Sequence, residues 1–208
     1  MKTIAIISQK GGAGKTTLAI NLATAAGLHG QISAVIDLDP QASAKGWHDI
    51  REKESPVVIS VQPARLMEIL ETARENGADL CVIDTAPHSE IASLAAAREA
   101  DLVVVPCRPS ILDIRAVATT VDLAALAKTP AVAVLNAVPA RGTLADEAAE
   151  AIQSYGLEVV PLRLGQRSSF VNSLTLGLSA QEFEPKGKGS AEIDQLYHWL
   201  TNRINIES

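Results

Sequence analysis

The stretch Lys10-Gly11-Gly12-Ala13-Gly14-Lys15-Thr16-Thr17 decides how the rest of the chain is read. It follows an apolar run, Thr3–Ser8, and opens a helical pattern, Lys15–Leu28. Strand, glycine loop and helix, in that order, are the context a phosphate-binding loop requires. Glycines let the backbone curl until its N–H groups converge on phosphate oxygens, and the helix N-terminus adds the positive end of its dipole. Lys15 is placed to reach the β- and γ-phosphates, and Thr16 to offer its hydroxyl to Mg²⁺. Gly11, Gly12, Ala13, Gly14 and Thr17 complete the cradle. Gln9 stands where the usual pattern has its first glycine, and a second lysine, Lys10, precedes the double glycine.

Around this loop, short apolar runs alternate with longer Ala-rich helical patterns. The runs are Thr3–Ser8, Ile32–Leu38, Val57–Val61, Leu80–Asp84, Leu102–Pro106, Ala131–Ala137 and Leu157–Pro161. The first six are near-continuously apolar, as in strands buried on both faces. Helices are expected at Lys15–Leu28, Pro63–Glu75, Glu90–Arg98, Asp113–Leu126, Thr143–Tyr155 and Ser190–Arg203, and an exposed loop at Glu184–Ser190. This alternation predicts an α/β fold, a doubly wound, mostly parallel sheet with helices on both faces. The 208 residues suit one domain, 1–208, with an aliphatic core, since 47% are hydrophobic and only 3% aromatic.

Two acidic sites follow strands, where an open α/β sheet places its ligands. In Val35-Ile36-Asp37-Leu38-Asp39-Pro40-Gln41, alternate residues share a face, so Asp37 and Asp39 are expected to point the same way. In Leu80-Cys81-Val82-Ile83-Asp84-Thr85-Ala86-Pro87, an apolar strand ends in Asp84, suited to Mg²⁺ held through water. Asn136 ends another strand, and its amide can donate to and accept from a base edge.

The chain resembles the ParA/MinD family of deviant Walker A ATPases, and is closest to its short, ParF-like partition members. The resemblance rests on K-G-G-x-G-K-T-T, on D-x-D-P-Q and on the strand ending in Asp84, in the family's order, and it covers nearly the whole chain. It implies ATP and Mg²⁺ as cofactors, and a weak, partner-stimulated hydrolysis. Lys10 becomes the signature lysine that reaches the partner's nucleotide in an ATP-bound homodimer, with the logic of a cation supplied in trans. Asp39 becomes the residue that positions the attacking water, Asp37 and Asp84 support Mg²⁺, and Asn136 reads adenine. Val105–Asp113 resembles the family's proline-rich loop near the dimer face, where Ser110 or Asp113 senses the partner or caps the next helix. The expected task is segregation of plasmid or chromosomal DNA with a small ParB-like centromere-binding or adaptor protein. Positioning of a protein cargo or compartment, or metallochaperone-type chemistry, are the alternatives.

A net charge of −6 means that any DNA contact needs a local basic patch. Arg163, Arg167, Lys186, Lys188 and Arg203 are the candidates for sequence-independent contact when ATP closes the dimer. Cys81 and Cys107 lack metal-type spacing and read as reduced core thiols, with only Cys107 available to a dimer-interface cluster. His88 follows the Walker B segment as a loop residue, and Trp47 and Trp199 read as packing residues. The chain opens on its first strand, which disfavours an N-terminal operator-binding module. The C-terminal stretch Trp199–Ser208 has one basic residue and lacks the polar face of a membrane anchor. A cytoplasmic, nucleoid-associated protein with no membrane partner is the resulting expectation.

Overall fold

The computed structural model describes residues 1–206, so Glu207 and Ser208 of the C-terminal stretch lie outside the described residues. The strands are β1 (Lys2–Ile6), β2 (Ser33–Asp37), β3 (Val57–Ser60), β4 (Leu80–Asp84), β5 (Leu102–Cys107), β6 (Ala131–Val138) and β7 (Glu158–Gly165). They form one sheet in the order β3-β2-β4-β1-β5-β6-β7, and every pairing is parallel. The helices are α1 (Lys15–Leu28), α2 (Ser43–Asp49), α3 (Leu66–Glu75), α4 (Glu90–Glu99), α5 (Ile111–Ala127), α6 (Leu144–Ser154), α7 (Ser168–Leu174), α8 (Ala180–Phe183) and α9 (Lys188–Arg203).

Side-chain alternation explains the continuous apolar runs. Ile4 and Ile6 of β1 face a core shared with α1 and α9, whereas Ala5 and Ile7 face a second core covered by α3 to α6. Both faces are therefore buried, so apolar residues dominate on each. β1 lies between β4 and β5, so the chain reverses its direction of travel across the sheet there. The crevice at the C-terminal ends of these strands is where an open α/β sheet binds its ligand.

Three helices escaped the sequence pattern. α2 opens on Ala42, which offers no side-chain cap and adopts a left-handed φ of 51°. Its first N–H groups are instead capped from upstream: Ala44 N and Lys45 N donate to Asp37 Oδ2 at 3.0 and 3.3 Å. The four-residue α8 does carry a local signal, a capping box between Ser179 and Glu182. α7 is a single short segment over Phe170 and leaves no long apolar period.

The loop expected over Glu184–Ser190 ends early, because α9 already begins at Lys188. Gly189 allows this. An added Cβ there would lie 2.9 Å from Ser169 Oγ and 3.5 Å from Phe170, so only a residue without a side chain brings α9 this close to α7. The seventh strand also runs four residues past its expected end, to Gly165. Its pairing with β6 shifts register between Ala133 and Leu135 and again between Leu135 and Val138. Such irregularities re-aim side chains at a sheet's rim, and Asn136 sits inside this one.

Candidate nucleotide site

The loop between β1 and α1 follows the switch-point strand and delivers the glycines to the crevice. Gly14 takes φ 93°, a left-handed value, immediately before α1. A Cβ on Gly14 would fall 2.3 Å from Asn136 Nδ2, so both conformation and space demand glycine. Asn136 Nδ2 donates to the Ala13 carbonyl at 2.7 Å, and Asn136 Oδ1 accepts from Ala137 N at 2.8 Å. The residue expected to read adenine thus also latches the loop to the end of β6.

Lys15 is 7% exposed, and its ammonium donates to the Lys10 carbonyl at 3.5 Å. Burial lowers its pKa, opposed by the negative fields of Asp84 and then Asp39. The ammonium is therefore close enough to both carboxylates to feel their charge. Lys10 is half-buried, and its ammonium makes no hydrogen bond or ion pair among the described residues. Gln9 Nε2 is buried without a hydrogen-bond partner, at the base of the same loop.

The three acidic residues separate by role. Asp84 is fully buried, and burial pushes its carboxyl up to about 7, moderated by the hydroxyl of Thr16, which donates to Asp84 Oδ2 at 2.6 Å. The other oxygen, Oδ1, is buried with no partner. A hydroxyl, a buried carboxylate and an unused buried acceptor fit a hydrated divalent cation, which satisfies such groups through its water shell. Asp37 is also fully buried, and it pairs in register with Asp84. Burial raises its pKa, offset by N–H donors from Asp39, Lys45 and Ala44. Both of its oxygens already accept backbone N–H groups: Oδ1 from Asp39 at 3.0 Å and Oδ2 from the start of α2.

Asp37 and Asp39 take different partners. Asp37 turns inward to hold the α2 turn. Asp39 lies beyond the strand end, half-buried, and accepts from Gln41 N at 2.9 Å. Alternation holds only while the backbone is extended, and β2 ends at Asp37.

Beside the loop lies a cavity of about 350 Å³, lined by Thr17, Arg108, Asn136, Gln166, Arg167 and Phe170 among others. Its size suits a nucleoside. Arg108, just after β5, brings its guanidinium within 3.6 Å of where a Gly12 Cβ would be, and it forms no ion pair among the described residues. The sequence reading passed over Arg108, Gln166 and Phe170. A lone arginine after a strand carries little signal, and the other two sit in or beside the short α7.

The remaining candidates fall as follows. Ser110 caps α5: its Oγ accepts from Asp113 N at 3.3 Å and donates to the Asp113 carboxylate. His88 takes φ 56° in the turn after β4 and lines a shallow depression with Gln9. Cys81 and Cys107 are buried, and burial pushes their thiols up to about 11 and about 12. Trp47 donates its indole N–H to the Leu178 carbonyl at 3.1 Å, and Trp199 is half-buried beneath Arg203.

Of the five basic candidates, Arg163 pairs with Asp146, Arg167 with Glu192 and Arg203 with Glu158. Lys186 and Lys188 are exposed and form no ion pair among the described residues. Arg141, unmarked by the sequence reading, joins Arg163 and Arg167 around one cleft of about 290 Å³ and is likewise unpaired among the described residues. No described helix is long and apolar enough to cross a membrane.

Residues 4–177 match the CobQ/CobB/MinD/ParA nucleotide binding domain. The chain is 28% identical to the maintenance of carboxysome distribution protein A of Halothiobacillus neapolitanus, covering 93% of this chain and 94% of that protein. It is 30% identical to the protein of the same name from Gloeobacter kilaueensis, covering 93% and 90%. Among solved structures it is similar to the septum site-determining protein MinD of Pyrococcus horikoshii complexed with Mg-ADP, with a TM-score of 0.81, 17% identity and coverage of 100% and 98%. The loop latched by Asn136 and the buried Asp84 both lie within the matched residues, and the chain belongs to the CobQ/CobB/MinD/ParA nucleotide-binding family.

Proposed function

We propose that this chain is a Mg²⁺-dependent ATP hydrolase that dimerises on ATP and uses that switch to position a protein compartment, with non-specific DNA as its track. One observation carries the choice of cargo: two relatives that align over 93% of this chain are both carboxysome-distribution proteins. Segregation of plasmid or chromosomal DNA with a ParB-like partner, which the motifs suit as well, ranks second.

The residues divide the work. Backbone N–H groups from Gly11 to Thr16 and the Lys15 ammonium hold the β- and γ-phosphates. Thr16 and Asp84 hold Mg²⁺, with Asp37 behind them as the anchor of the α2 turn. An Mg²⁺ ion held there would supply positive charge against the phosphates. Asp39, on the loop that Asp37 braces, orients the attacking water in line with the γ-phosphorus. Lys10 extends to the nucleotide of a second copy, where a cation stabilises charge on the transferring phosphoryl group. The nucleoside occupies the cavity walled by Asn136, Gln166 and Phe170.

The test is retention of the purified protein on immobilised DNA of arbitrary sequence, at low salt, with ATP and with ADP. Retention with ATP alone, insensitive to DNA sequence, is the expected result. Equal release in both nucleotides would remove DNA as the track. Imaging of a tagged compartment shell and of a tagged plasmid in cells lacking the gene then separates the two cargoes.

A further inference from the structure

At the far end of α1 from the phosphate loop lies a cluster that the nucleotide site does not use. His29 caps the C-terminus of α1, and Asp194 and His198 lie one turn apart on α9. One ligand atom from each lies within 4.8 Å of the other two. His29 Nε2 sits 2.7 Å from Asp194 Oδ1, and His198 Nε2 sits 3.9 Å from Asp194 Oδ2. We propose that His29, Asp194 and His198 form a binding site for a divalent transition-metal ion, with Zn²⁺ as the reference case.

Three observations support it. Two imidazoles and a carboxylate are a donor set that Zn²⁺ accepts, with a fourth position left to water. Residues four apart on a helix present their side chains to the same side, so Asp194 and His198 converge without strain. Metal–ligand bonds of about 2.0–2.2 Å at tetrahedral angles put ligand atoms about 3.3–3.5 Å apart. The observed contacts at 2.7 and 3.9 Å, one to each oxygen of the Asp194 carboxylate, bracket that spacing, and the whole donor set lies within 4.8 Å.

The surroundings also favour a cation. The C-terminal end of α1 carries the negative end of its dipole. His29 is held in place by its neighbours: it stacks on Tyr197 at 5.1 Å with an interplanar angle of 1°, and it meets the His198 ring edge-on at 4.6 Å. Tyr197 in turn donates its hydroxyl to Gln31 Oε1 at 2.7 Å. Such second-layer contacts orient metal-binding imidazoles. The three side chains remain 32%, 48% and 42% exposed, which leaves an entry path.

The experiment is calorimetric titration of the whole protein with ZnCl₂, first saturated with Mg²⁺ and ADP so that the phosphate site is occupied. One equivalent of Zn²⁺ is expected to bind. Asp194→Asn and His198→Gln should each weaken it by at least about tenfold, because loss of a ligand costs no less than loss of a second-layer partner. Thermal melts give an independent reading: at one Zn²⁺ concentration the midpoint of the wild type should rise clearly more than that of either variant. Co²⁺ in place of Zn²⁺ should give the visible absorption of a four-coordinate N/O site, without a thiolate band. Equal Zn²⁺ affinity in wild type and variants, with the variants folded by circular dichroism, would place the metal elsewhere and overturn the proposal. So would a wild type that binds no Zn²⁺, leaving the cluster a plain His29–Asp194 ion pair.

Discussion

The two halves of the nucleotide crevice are built in opposite ways. On the phosphate side, chemistry comes from contiguous motifs: the glycine loop, Asp37 to Asp39, and the strand ending at Asp84. Each is fixed by its neighbours in sequence, and buried charges meet there at close range. On the nucleoside side, the wall is assembled from three distant places in the chain: Arg108 after β5, Asn136 in β6, and Gln166, Arg167 and Phe170 where β7 passes into α7. The first half needs precision against charge, and short rigid turns supply it. The second needs shape, and long-range packing supplies it. One hydrogen bond, Asn136 to Ala13, ties the two together across 123 residues of sequence.

The largest effect should come from the phosphate side. Asp39→Ala is expected to slow ATP turnover by about 10²–10⁴-fold while ATP affinity is kept, because the water loses its orienting carboxylate and Lys15 still holds the phosphates. Phosphate release and fluorescent-ATP binding, measured together, check this. A variant hydrolysing at the wild-type rate would take Asp39 out of the chemistry.

Next comes a pair that fastens α8 to the segment just after α2. Arg51 and Glu182 form an ion pair with side chains only 2% and 5% exposed, and Lys53 joins from outside. Burial pushes the Glu182 carboxyl up, but hydrogen bonds from Arg51, Lys53 and Ser179 outweigh it and bring its pKa down to about 2. The folded value lies below the ordinary 4.5, so the stabilisation is complete above that pH and fades as pH falls toward 2. Arg51→Met should cost about 3–5 kcal/mol at neutral pH, since it leaves a buried charge poorly paired, and clearly less near pH 2.5. Denaturant melts at the two pH values measure the difference. A cost that did not change with pH would mean that packing, not charge, holds this seam.

Asn136→Ala probes the bond between the halves. Loss of one buried hydrogen bond should lower ATP affinity by about tenfold. The comparison with GTP is decisive. An equal fall for both nucleotides marks Asn136 as a latch for the loop, whereas lost preference for ATP marks it as a reader of the base.

The smallest effect is expected at the basic cleft. Arg163 and Arg167 are each engaged by a carboxylate, so Arg141 is the arginine with most charge to offer. Arg141→Ala should flatten the dependence of log DNA affinity on log salt by about 0.9 for each DNA phosphate that the arginine neutralises, equally for unrelated sequences. Arg163→Ala should do less. The reverse order would mean that the ion pairs open on DNA.

The sheet and the phosphate half were legible in the order of residues alone. Seven apolar runs became seven parallel strands, because strands buried on both faces cannot hide their composition. Lys15 and Thr16 are placed by one strand, tight loop and helix, whereas Asp84 reaches Thr16 because β4 pairs in register beside β1. Folding in three dimensions settled the rest. Asp37, read as a partner of Asp39, turned into the cap of a helix that begins several residues later, since the chain leaves its extended form at Asp37. Arg163 and Arg167, read as a bare patch, acquired carboxylate partners from α6 and α9. His29 met Asp194 and His198 only because α9 folds back along α1. Contacts between residues far apart in the chain leave no local pattern, so nothing in the neighbouring sequence could announce them.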